Sequence, residues 1–212
     1  MKKITTLVTG LAAVFALTAC AGGKGTEIKE EQFKEKAAAV EEHQYSEATI
    51  KWAVKTETTM PDFNTETGKI ESKTDKVDEK GETKYTFSNK EWKTDDKNEY
   101  GSQFSQLLYS NLKDVQLEDI TGSMESTAEH YKIESNVKYY ANPLGISVSA
   151  KGDFSEQGST GKLDLTAYMS FDKYGYLTKV EYKVDISGTA SYGDTSYNVK
   201  MYMEETATIS YK

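Results

Sequence analysis

Apolar and polar residues alternate with a period of two along most of this chain, and only two stretches change to the three- and four-residue spacing of a helix. The first helical stretch follows Thr26, a residue able to cap, with Lys29, Glu30 and Glu31 in the opening turns. Ile28, Phe33, Ala37 and Val40 form one narrow apolar stripe, and the spacing predicts a charged amphipathic helix over 28–42. The stripe lasts only about two heptads, too short for a coiled coil. In the second stretch Tyr100, Phe104, Leu107, Leu108, Leu112 and Val115 define a broader face, predicting a helix over 100–115 that plugs the core. Leu117 to Gly122 reads as connection.

The alternating stretches read as strands. Ala48, Ile50, Trp52 and Val54 share one side of a strand over 45–57, and Pro61-Asp62-Phe63-Asn64 predicts the turn that ends it. Residues 69–79 carry many threonines and charges with only Ile70 and Val77 aliphatic, the composition of an exposed edge strand. Lys80-Gly81-Glu82 reads as a turn into a third strand over 83–92 with Tyr85 and Phe87 on one face. Tyr131, Ile133, Val137 and Tyr139 start a long antiparallel meander. It turns at Ala141 to Gly145, continues through Ile146, Val148 and Ala150, crosses a glycine- and serine-rich stretch over 152–161, and resumes with Leu163, Leu165, Ala167, Met169 and Phe171. Asp172-Lys173-Tyr174-Gly175 predicts a hairpin turn with the glycine free to take positive φ. Tyr176, Val180, Tyr182, Val184 and Ile186 follow on one side, then Tyr197, Val199, Met201, Met203, Ala207, Ile209 and Tyr211.

About eight or nine strands with one dry face need a cover, and the two helices are the segments that supply one. The expected fold class is therefore α+β: a single domain over 26–212, a large curved antiparallel sheet covered on its concave face by two helices.

The N-terminus changes the setting. Lys2 and Lys3 precede an apolar run from Ile4 to Leu17 that falls short of the roughly 20 residues needed to span a bilayer, which is the pattern of an export signal. It ends in Leu17-Thr18-Ala19-Cys20, which resembles the lipobox of bacterial lipoproteins. That resemblance implies diacylglyceryl transfer to the Cys20 sulfur, removal of residues 1–19, and a membrane lipid partner held through acylated Cys20. Two buried acyl chains anchor firmly where one is marginal. Ala21 to Gly25 has the composition of a flexible linker, so 20–25 reads as lipidated residue plus tether.

Charge and composition then narrow the function. The 212 residues carry 26 basic and 34 acidic side chains for a net charge of −8, and every basic position is lysine. Removing the first 19 residues takes away two lysines and no acid, which leaves 193 residues at −10. A nucleic-acid partner is excluded, because there is no basic stripe to displace counterions. So acidic a body is repelled by anionic lipid, leaving attachment to the anchor. The lysine bias together with the lipobox suggests a Gram-positive cell surface. In a diderm host Ala21 resembles the pattern of lipoproteins on the periplasmic face that are sent on to the outer membrane.

Candidate chemistry is sparse. The one cysteine is consumed by the anchor, no Gly-x-Ser-x-Gly elbow exists, and His43 and His130 each sit in polar surroundings, so no catalytic residue is assigned. Asp62, Asn64, Glu66 and Gly68 echo a calcium loop, but Lys73 stands where its bidentate acid belongs, and Asp95-Asp96 reads as acids placed ahead of a helix. No metal or cofactor is expected. Fifteen tyrosines and two tryptophans remain. Trp52, Trp92, Phe104, Leu108, Tyr131, Tyr139 and Tyr182 either line a cavity for a hydrophobic ligand or pack a half-buried sheet with their polar tips wet.

The order of elements, and the Phe171-Asp172-Lys173-Tyr174-Gly175-Tyr176-Leu177 hairpin within it, resembles the LolA/LolB-like lipoprotein-carrier family and related Gram-positive lipoproteins. The resemblance implies a LolA-like half-barrel in which a lipid or another hydrophobic ligand sits between sheet and helices. It carries over no binding residue, and the lid arginine of some carriers has no counterpart here. The competing expectation is a surface module with a solid core that contacts a protein or wall polymer in the cell envelope. Neither is an enzyme.

Overall fold

The computed structural model describes residues 25–115, 133–156, 159–192 and 195–212. Cys20, His130 and Tyr131, and with them the export signal and lipobox, lie outside the described residues. The chain forms β1 (Thr26–Ile28), α1 (Glu30–Ala38), β2 (Glu47–Asn64), β3 (Lys69–Ser88), β4 (Glu91–Lys93), α2 (Glu99–Phe104), two 3₁₀ turns (Ser105–Tyr109 and Leu112–Asp114), β5 (Glu134–Ala141), β6 (Leu144–Glu156), β7 (Ser159–Phe171), β8 (Leu177–Tyr192) and β9 (Thr195–Tyr211). All nine strands join one open antiparallel sheet in the order β1-β5-β6-β7-β8-β9-β2-β3-β4. The fold is therefore dominated by its sheet.

The alternation read from the sequence sets the inner face. Ile50, Trp52 and Val54 of β2, Ile146 and Val148 of β6, Leu163, Leu165 and Phe171 of β7, Val184 of β8, and Ala207 and Ile209 of β9 all fall on it and are buried. The cover differs from expectation. Among the described residues only one helix exceeds two turns, and it spans Glu30–Ala38 rather than 28–42, because Thr26 to Ile28 pairs with β5 (Thr26 opposite Ala141, Ile28 opposite Tyr139) in place of capping. Two acids, Glu41 and Glu42, follow the helix, where they oppose its dipole. Nine residues are below the roughly 12 to 15 at which an isolated helix holds in water. Phe33, fully buried against Tyr139 at 5.2 Å, pins it instead.

The second expected helix is broken. Residues 99–104 make little more than one helical turn, and the remainder tightens into 3₁₀ pieces. Gly101, Ser102, Ser105, Ser110 and Asn111 are poor helix formers, and Asn111 turns its carbonyl onto the Lys113 amide at 3.0 Å. The apolar spacing still serves the core, with Phe104 stacked on Trp52 at 5.8 Å and Leu108 and Leu112 buried.

Three predicted boundaries are also corrected. β3 runs unbroken through Lys80-Gly81-Glu82, because Gly81 lies opposite Trp52 and the indole fills the space a side chain needs: a Cβ there would stand 2.5 Å from Trp52 Cζ2. β2 continues through Pro61 to Asn64. Its pairing with β9 ends at Thr59, so the proline falls where only one side of the strand is laddered. The stretch 152–161 is mostly strand, with Glu156 and Ser159 paired across β6 and β7. The charged edge is as expected: β4 pairs only with Thr86 to Ser88, leaving the rest of β3 as a border of lysines and acids.

The sheet has two poles. At the near pole lie the β5–β6 and β7–β8 turns, the β3–β4 turn at Asn89-Lys90, and the C-terminus, where the Ser46 amide donates to Lys212 O. At the far pole lie the β2–β3 turn and the last pairs of β6–β7 and β8–β9. Gly25, where the described chain begins, packs against the Ala141 and Asn142 carbonyls at the near pole.

Candidate functional site

The near pole carries an aromatic cleft, and one carboxylate organises it. Asp172 opens the β7–β8 turn. Its Oδ1 accepts the amides of Tyr174 and Tyr176, each at 2.9 Å, and its Oδ2 accepts the Tyr45 hydroxyl at 2.6 Å. Gly175 completes the turn at φ +80°, a conformation that disfavours any side chain. The turn then receives the broken helical segment: the Leu112 amide donates to Gly175 O at 2.7 Å, Asn111 Nδ2 to Tyr174 O at 3.3 Å, and the Leu177 amide to Ser110 O at 3.4 Å.

Rings assemble around this hub. His43 lies flat on Tyr174 at 4.2 Å, and Tyr45 lies flat on Tyr211 at 4.7 Å. Tyr176 meets Tyr45 edge-on at 5.1 Å and sends its hydroxyl to His43 O at 2.7 Å. Trp92, packed on Phe87 at 5.1 Å, donates its backbone amide to the Tyr109 hydroxyl at 2.9 Å. The cleft between these groups measures about 670 Å³. Glu41 to Gln44 form one wall, the β3–β4 hairpin a second, the 3₁₀ segment a third, and Tyr174 and Tyr176 a fourth. Its size is that of a small-ligand site. Its charged groups are Glu41, Glu42 and Asp114 against Lys90 and Lys113, with Lys113 at 4.0 Å from Glu42.

Burial and the Asp172 charge push the hydroxyls of Tyr45, Tyr176 and Tyr211 upward from the ordinary phenol range. At neutral pH these phenols are therefore neutral; Tyr176 among them lines the cleft, beside the lysines and carboxylates of its walls.

Two other polar features stand apart. The indole N–H of Trp52 donates to Thr83 Oγ1 at 3.2 Å, and Thr83 donates on to Asp96 Oδ2 at 2.6 Å. That hydrogen bond, with the Asn98 amide, holds the Asp96 carboxyl below its usual range and ties the 95–98 segment to β3. On the opposite face of the sheet a groove of about 610 Å³ runs between rows of Lys151, Asp153, Lys162, Asp164, Lys183 and Asp185.

The sequence-derived candidates divide. Trp92 and Leu108 both line the cleft. Trp52 and Phe104 are buried against one another, Tyr139 packs on Phe33, and Tyr182 sits half-buried on the inner face of β8 opposite Ala167 and Glu205. Asp62 lies within β2 opposite Glu71, while Asn64, Glu66 and Gly68 build the β2–β3 turn: Asn64 Oδ1 accepts the Glu66 and Thr67 amides, and Gly68 takes φ +68°. Among the described residues no group of three His, Cys, Asp or Glu is placed to hold a metal ion.

The sequence did not single out as a site His43, Tyr109, Tyr174 and Tyr176, which line the cleft, or Tyr45, Asp172 and Tyr211, which support it. The available signal was tyrosine placed at or near strand ends. No protein-family model matches this chain, and no curated protein matches it either.

Proposed function

We propose that this protein is an extracytoplasmic, non-enzymatic lipoprotein, held to the cell membrane by acylated Cys20, whose LolA-like domain binds an amphipathic ligand, a lipid or another hydrophobic molecule. The observation that carries the binding half is the near-pole cleft. It joins stacked rings, neutral phenol hydroxyls and charged side chains in a volume suited to one small molecule or headgroup. Between sheet and helical segments, Trp52 packs on Phe104 and Tyr139 on Phe33, which favours the cleft over that space as the ligand site. The anchor half rests on the lipobox and on the position of the chain's one cysteine. A Gram-positive surface fits the all-lysine composition.

A second reading, a module for a protein or wall polymer of the envelope, draws on the groove of alternating lysines and aspartates on the other face. Native mass spectrometry of the full acylated protein, released in mild detergent, separates the two. The expected result is an added mass that disappears on denaturation and falls at least several-fold in Tyr174→Ala. A bare protein mass, with acylation present and no uptake of added lipid, refutes the ligand reading and leaves the envelope module. Unchanged membrane fractionation of Cys20→Ala refutes the anchor.

A further inference from the structure

The short tether and the long sheet together fix which end of the domain meets the membrane. The described chain starts at Gly25, wedged against Ala141 and Asn142 at the near pole, and four residues separate it from Cys20. Fully extended, the five steps from Cys20 to Gly25 reach at most about 18 Å. β2 alone is 18 residues long, which at about 3.3 Å per residue makes the sheet roughly 60 Å from pole to pole. A tether of that reach holds the near pole beside the bilayer and leaves the far pole, with Glu66 at the β2–β3 turn, tens of ångströms away.

The cleft is at the pole that is held. Its rim carries Tyr109, 49 % exposed, whose ring is amphipathic in the way favoured at headgroup depth. Three carboxylates against two ammonium groups line the cleft, on a mature chain of net charge −10, and both oppose a phosphate-bearing headgroup. Flat ring faces, phenol hydroxyls and carboxylate acceptors suit an uncharged ring bearing many hydroxyls.

We propose that the cleft faces the bilayer that carries the Cys20 anchor and takes from it the uncharged, hydroxyl-rich headgroup of a glycolipid. The proposal rests on the lipid-anchor reading, and the experiment tests the two separately. The full acylated protein is placed in phosphatidylcholine vesicles with or without dihexosyl-diacylglycerol. A fluorophore is attached at Glu41→Cys on the cleft wall or at Glu66→Cys on the far turn, since acylation consumes the thiol of Cys20.

Nitroxide-headgroup lipid is expected to quench the Glu41→Cys label several-fold more than the Glu66→Cys label. Glycolipid, and not phosphatidylglycerol, is expected to shift the tryptophan emission, to which Trp92 contributes from the cleft, and Tyr109→Ala is expected to remove the shift. Equal quenching at the two positions in protein of verified acyl mass overturns the orientation while the anchor stands. An equal emission response to glycolipid and phosphatidylglycerol, or none to either, overturns the headgroup assignment. Absence of the acyl mass on the N-terminal peptide overturns the anchor and the proposal with it.

Discussion

Replacing Asp172 tests whether one carboxylate holds the cleft together. Asp172→Ala removes the acceptor of two backbone amides at 2.9 Å and of the Tyr45 hydroxyl at 2.6 Å. At about 1 kcal/mol net for each hydrogen bond, less what water recovers at this half-open end, the loss is about 2 kcal/mol. With a urea slope of about 2 kcal/mol per molar, the unfolding midpoint falls by about 1 M with the slope unchanged. Asp172→Asn behaves differently. The retained Oδ1 still accepts both amides, and the new NH₂ donates to the Tyr45 oxygen where Oδ2 had accepted from it. The cost is then confined to the lost charge assistance, below about 1 kcal/mol. Urea unfolding followed by circular dichroism and tryptophan emission gives both midpoints. Equal midpoints for the alanine and asparagine variants, or an alanine variant as stable as the parent, would refute the assignment of Asp172 as the hub.

Two further outcomes follow from the interior. Thr83→Val keeps the shape of a residue that is 1 % exposed but strips the Trp52 indole N–H of its acceptor, and it is expected to cost about 1 to 3 kcal/mol in urea unfolding. Thr83→Ser, which keeps the hydroxyl, is expected to lose less, and a valine variant as stable as the serine variant contradicts the relay. Glu205 sits on the inner face opposite Val54 and Tyr182, and burial raises its carboxyl above the usual range. A raised folded value means that its contribution is intact in acid and drains away as pH climbs through that value. Glu205→Gln should therefore raise the urea midpoint near about pH 8 and leave it unchanged near about pH 4; an equal shift at both contradicts the desolvation account.

The sheet was legible because one buried face imposes period two, and Ile50-Trp52-Val54 and Leu163-Leu165-Ala167 obey it. Two of the three corrected boundaries fall at glycines, and the reason is packing. Gly81 is vacated for the Trp52 indole and Gly161 for the Phe154 ring, so neither marks a turn, although local sequence presents them in the same way as Gly175, which does. The second helical stretch showed the right apolar spacing, and its serines and Gly101 were the unread warning that it would break. The cleft was hardest to see. Its hub joins Asp172 to Tyr45 across 127 positions; His43, Tyr109 and Tyr174 lie outside the alternating runs, and Tyr45, Tyr176 and Tyr211 stand at their ends, where the period does not tell a site from a strand. Apolarity marks Trp92 and Leu108 in the sequence, whereas a tyrosine is also an ordinary strand residue and carries no such mark.

The position of β9 bears on how the chain comes to be folded at all. It is the seventeen-residue strand nearest the C-terminus, and it alone joins the β2–β3–β4 block to the block running from β1 through β8. Until it arrives, β2 lacks its second neighbour and the two blocks share no ladder, so the sheet cannot be completed before β9 has been made. Such late, long-range closure is slow, on the order of milliseconds to seconds. Under the export proposed above, that delay keeps the domain open while it crosses the membrane: β9, which completes the sheet, is the last of the described strands to pass through.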